Sequence, residues 1–159
     1  NCETSQVFFT NVRTPVADRL GEIGGGWAAA RTLMTIARSN NTTPGLLRRA
    51  LRAARRASGE TGRDPALKSR LAGLEMRLDT FEALASRKMS QAVGGTDRMT
   101  SSMLKVVATE LQQAINEAAV SGAPNEAMVL ARYFANRAAT IYSGTSEIHR
   151  NTMARLSGL

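Results

Sequence analysis

Apolar positions recur at spacings of three and four along most of the chain, the period of an amphipathic helix. The clearest run is Leu67, Leu71, Leu74, Leu78, Phe81 and Ala85, the inward seam of a bundle helix. Asp64 stands ahead of it as N-cap, with Pro65 at the first helical position. A second run, Leu104, Val107, Leu111, Ile115 and Ala118, predicts a helix over about 99–121. Cap and breaker residues divide the rest: Ser39 to Gly45, Gly59 to Gly62, Gly94-Gly95, Gly122-Ala123-Pro124 and Ser143-Gly144. Further helices are predicted over about 25–39, 45–58, 125–141 and 145–156. The expected fold class is all-α, an antiparallel four-helix-type bundle with a short strand-like lead-in at the N-terminus.

The lead-in differs from everything after it. Gln6-Val7-Phe8-Phe9-Thr10-Asn11-Val12 is rich in β-branched and aromatic residues and reads as a strand. Thr14-Pro15-Val16 then turns the chain, and Gly21 to Gly26 forms a glycine-rich junction. A lone strand leaves its backbone groups unpaired, so the sheet it belongs to is expected outside this sequence. The chain also starts at Asn1 and not at Met, and the natural start is expected upstream.

Composition narrows the classes. At 159 residues, 43% hydrophobic and 21% charged, the chain is long enough for one domain with a real core. Cys2 is the one cysteine and His149 the one histidine, which excludes a disulfide framework, a cysteine-based zinc site and a multi-histidine centre. No metal is expected. Neither a membrane span nor a signal peptide is evident, which fits a cytoplasmic protein. The net charge of +8 raises the question of nucleic acid, because Arg48, Arg49, Arg52, Arg55 and Arg56 lie close together. Arg48, Arg52, Arg55 and Arg56 share one helical face opposite Leu47, Leu51 and Ala54. Such a face could equally be solvated, or meet an acidic partner or a cofactor phosphate. Only 4% of residues are aromatic, and no helix-turn-helix, RNP or finger spacing is found, so nucleic acid is disfavoured.

Chemistry concentrates in the tail. Ile141-Tyr142-Ser143-Gly144-Thr145-Ser146-Glu147-Ile148-His149-Arg150-Asn151 interrupts one helix and restarts another. Thr145 or Ser146 is available as cap and Glu147 falls in the first turn. A helix N-terminus presents unpaired N–H groups and the positive end of a dipole, suited to a phosphate or a thioester oxygen. An ordinary capped turn would look the same by spacing alone.

The segment Tyr142 to Ile148, followed by Arg150 and Asn151, resembles the C-terminal signature of the flavin-dependent acyl-CoA dehydrogenases. Val7 to Pro15 is similar to the last strand of that family's middle β-domain. Leu20-Gly21-Glu22, then Gly24 to Trp27, resembles its link into the C-terminal helices. The resemblance implies residues 1–22 as the end of a β-domain and linker, and 23–159 as the helical domain. It implies α,β-dehydrogenation of an acyl-CoA thioester in the intact protein, with FAD as cofactor and a separate electron acceptor. Homo- or hetero-oligomers through the bundle are implied too. A carboxylate would remove the α-proton while the thioester oxygen receives hydrogen bonds, one from the N–H of Ser143. Gly144 and Arg38 would lie at substrate; Thr145, Ser146 and Glu147 would touch FAD.

The sequence departs from the family at the base. Many members place the catalytic glutamate where this chain has Ser143, and a minority place it where this chain has Ala37, just before Arg38. Serine is no replacement, since its hydroxyl is far too weakly basic without a base beside it. His149 reads as a surface or packing residue. The family's Arg-x-x-Phe-Gly segment and its later Gly-Gly-x-Gly turn are not evident; Arg55 and Arg56 lie in the region of the former. Three functions follow: an active dehydrogenase with its base elsewhere, a catalytically silent subunit paired with an active one, or a non-enzymatic basic helical module. The fragment alone is expected to be inactive.

Overall fold

The computed structural model describes residues 5–37, 43–59, 64–91 and 98–159. Among the described residues six α-helices follow one another: α1 (Gly26–Ala37), α2 (Pro44–Ala57), α3 (Pro65–Gln91), α4 (Arg98–Gly122), α5 (Ala127–Asn136) and α6 (Ser146–Leu156). Local chemistry accounts for the starts. Thr43 caps α2 by accepting from the Leu46 N–H at 3.4 Å, with Pro44 at the first helical position. Asp64 caps α3 through Oδ1, which accepts from the Ala66 N–H at 3.0 Å. The expected Gly94-Gly95 break lies outside the described residues.

Polar contacts across the helices fix their directions. Arg48 of α2 reaches Asp79 at 2.8 Å and Glu82 on α3, while Arg55 reaches Glu75 at 2.5 Å, so α2 and α3 are antiparallel. Lys88 and Ser101 meet at one end of the α3–α4 pair, and Arg70 and Glu117 at the other. α5 returns along α4, with Gln112 Nε2 donating to Asn136 Oδ1 at 2.9 Å. α6 then runs parallel to α4. The predicted bundle is therefore formed as successive antiparallel helices, with α4 packed on α2, α3, α5 and α6.

The core is the predicted seam. Leu67, Leu71, Leu74, Leu78 and Phe81 of α3 are buried against Leu104, Leu111, Ile115 and Ala118 of α4 and Leu47, Leu51 and Ala54 of α2. Ala85 and Val107 pack at its edge. Full burial of each such leucine contributes about 1.5–3 kcal/mol, which is what holds three amphipathic helices together. The arginine face of α2 is partly taken up internally, since Arg48 and Arg55 pair with α3 carboxylates. α1 carries Trp27 and Leu33 exposed.

One expectation is corrected, the end of the fifth helix, and the lead-in is seen here without a partner: residues 6–12 are irregular and exposed, and Asn11 has a positive φ of 53°. No strand is present among the described residues to pair with it, and an unpaired ladder does not form. The fifth helix ends early, at Asn136, and tightens into a 3₁₀ turn over Arg137–Thr140. Gln113 Nε2 lies 3.2 and 3.1 Å from the Asn136 and Arg137 carbonyls, replacing the helical partners they lose. No described helix is long and apolar enough to cross a membrane.

Candidate functional site

After the 3₁₀ turn the chain reverses at Ser143 and Gly144, both in the positive-φ region at 57° and 94°. Serine is rarely found there, and such residues cost roughly 1–3 kcal/mol unless their surroundings hold them. Two buried side chains do so here. Lys105 of α4, 4% exposed, donates from Nζ to the Gly144 carbonyl at 2.6 Å. His149 of α6, 2% exposed, lies with Nε2 3.1 Å from the Ser143 carbonyl. A carbonyl can only accept, so Nε2 carries the proton of that bond. The ring also packs its Nε2 edge against the turn: a Cβ on Gly144 would fall 2.8 Å from Nε2.

Thr145 closes the turn as the N-cap of α6, its Oγ1 accepting from the Ile148 N–H at 3.3 Å. Glu147 is exposed and bends back to its own N–H and to the Thr145 hydroxyl; these hydrogen bonds hold its carboxyl below the ordinary glutamate value. Burial pushes the Lys105 ammonium below the ordinary lysine value, opposed by the charges of Glu147 and Glu110. Arg150 pairs with Glu110 and ties α6 to α4. Ser146, 4% exposed, has an Oγ buried with no hydrogen-bond partner. Such an orphaned hydroxyl at a helix N-terminus fits a ligand that brings its own polar atom.

The structure thus brings Ser143, Gly144, Thr145, Ser146 and Glu147 together on one turn. Arg38 lies outside the described residues, and Ala37 is the last residue of α1. His149 is a packing residue, not a surface one. The arrangement offers hydrogen-bond donors and a partial positive charge, and its one carboxylate is committed to the helix cap. Among the described residues no group of three His, Cys, Asp or Glu side chains could hold a metal ion. Sequence reasoning missed Lys105. The signal was present in Ser102, Lys105, Thr109 and Asn116, a polar stripe at helical spacing on a helix that is otherwise core.

Comparison with known proteins agrees with the helical fold. Residues 24–157 match the family model described as acyl-CoA dehydrogenase, C-terminal domain. No curated protein matches the chain.

Proposed function

The chain belongs to the acyl-CoA dehydrogenase family through its C-terminal domain, and from that premise we propose that the intact protein is an FAD-dependent enzyme dehydrogenating an acyl-CoA thioester. In this reading Gly144 and Arg38 lie at substrate, and Thr145, Ser146 and Glu147 meet the flavin. Residues 1–22 close a β-domain that lies upstream. The observation that carries it is the orphaned Ser146 Oγ beside the donor-rich start of α6. A group with phosphate or ring acceptors would satisfy that hydroxyl and the N–H groups around it. Bound flavin would take up the hydride that leaves the β-carbon. The chain's own part is to bind the thioester, donate hydrogen bonds to its oxygen as enolate character develops, and keep water from the α-carbon.

The α-proton needs a base, and Ser143 does not supply one. That residue favours a second reading, in which this is the silent subunit of a hetero-oligomer and its partner carries the base. One experiment separates the two. Full-length protein is purified with and without Ser143→Glu, and bound flavin and acyl-CoA oxidation are measured. Activity gained by the variant supports the silent subunit, and activity present in both supports a base elsewhere. Full-length protein that binds no flavin overturns both readings.

A further inference from the structure

Lys105 is the unusual group in this chain. It is a buried cation on the central helix, and its head meets a main-chain carbonyl where a carboxylate would be the ordinary partner. His149 does the same to the preceding carbonyl from the other helix. Every peptide bond described is trans, so a C=O and the N–H of the same peptide unit point in opposite directions. Holding the Ser143 carbonyl toward His149 therefore turns the Gly144 N–H away from it. Holding the Gly144 carbonyl toward Lys105 turns the Thr145 N–H away likewise. Among the described residues neither N–H has a backbone acceptor.

We infer that Lys105 and His149 are positioning residues. They clamp two successive carbonyls inward, keep Ser143 and Gly144 in the left-handed region, and so aim the N–H groups of Gly144 and Thr145 outward as the donors of the site. Lys105 also polarises the Gly144–Thr145 peptide, because an ammonium on the carbonyl oxygen makes the N–H of that unit a stronger donor. Beside the first turn of α6 the two N–H groups make two adjacent donors suited to an acceptor oxygen. The clamp is independent of the base and explains why a turn with Ser143 still holds its shape. Its catalytic meaning rests on the proposed function, and the clamp itself does not.

The test uses Lys105→Met, which keeps the aliphatic stem and removes the ammonium. In the 159-residue chain the Gly144 and Thr145 amide signals should move, while the α3 core amides stay in place and protected from exchange. A packing role alone would leave both signals in place. The wild-type chain gives a second measurement that needs no variant. As pH rises through the Lys105 titration, the Gly144 carbonyl carbon should shift in step with it. Glu110 and Glu147 are the charges that act on Lys105, and His149 shares the turn, so the same titration of Lys105→Met is the control and should lose the shift. In flavin-loaded full-length protein, Lys105→Met should weaken acyl-CoA binding by roughly ten- to hundredfold, read from the flavin absorbance change. Unmoved Gly144 and Thr145 signals overturn the clamp. Moved signals in a protein that binds no flavin uphold the clamp and overturn the proposed function instead.

Discussion

Replacing Gly144 with alanine tests the turn most directly, because two independent costs meet at one atom. The first is conformational: φ at Gly144 is 94°, where a side chain costs about 1–3 kcal/mol. The second is steric: the new Cβ would sit 2.8 Å from His149 Nε2. The ring cannot retreat easily, being 2% exposed and bonded to the Ser143 carbonyl, so overpacking adds about 1–3 kcal/mol. Together these predict a loss of roughly 2–6 kcal/mol, a large share of a domain's usual stability. At about 2–4 °C per kcal/mol the melting temperature should fall by on the order of 10 °C. Urea unfolding followed by circular dichroism measures it, and a double-mutant cycle with His149→Ala divides it. The collision should vanish in that background while the conformational cost remains, leaving a coupling of about 1–3 kcal/mol. A Gly144→Ala protein within about 0.5 kcal/mol of wild type would refute the reasoning. An equal cost in both backgrounds would refute the contact with His149.

Gly122→Ala should destabilise by about 1–3 kcal/mol in urea melts despite alanine's better helix propensity, because its Cβ would lie 2.2 Å from Ser58 Oγ and 2.9 Å from Ser58 Cβ; Ser58→Gly in the same chain should restore most of the loss. Asn116→Leu should be neutral or stabilising by about 1 kcal/mol, since the Asn116 Nδ2 is buried without a partner beside a cavity of about 340 Å³ lined by alanines such as Ala50, Ala53 and Ala54 and by the charged Arg56, Glu126 and Arg132; marked loss of stability would show that the amide is bonded after all. Lys105 has a folded pKa below its unfolded value of 10.5, so the unfolded chain binds the proton more tightly and stability should rise with pH across the window between the two. Wild-type and Lys105→Met stability curves measured against pH should diverge there, and parallel curves would contradict the assignment.

The helices were legible because their burial follows a single period. Every residue of the α3 seam from Leu67 to Phe81 is buried, and Asp64 and Pro65 begin the helix as their chemistry requires. The lead-in is irregular here because β-branched and aromatic residues report only fitness for a sheet, and pairing needs a second strand, which is expected outside this sequence. The tail turn was legible as a motif, yet its internal support was not. His149 is six residues from the carbonyl it holds and Lys105 is 39 from Gly144, and no local pattern announces a contact between α4 and a distant turn. The glycine at 122 was read as a breaker, while the structure gives it a packing role against Ser58 as well.

The geometry of the turn also bears on what Ser143 means. At φ 57° serine and glutamate carry the same backbone strain, since it falls on the backbone and Cβ that both share. The side chain at 143 is only half-buried, and the clamp acts on its carbonyl and not on its hydroxyl. Neither backbone conformation nor the hydrogen bond to His149 therefore demands serine. A glutamate introduced at 143 should leave the turn intact, with Gly144 and Thr145 still aimed outward by Lys105 and His149. Under the proposed function, what serine changes is the chemistry available at that point, with no proton acceptor where the family resemblance puts one. That arrangement is what a subunit would carry if it bound a thioester without deprotonating it, and it makes Ser143→Glu a test of chemistry and not of folding.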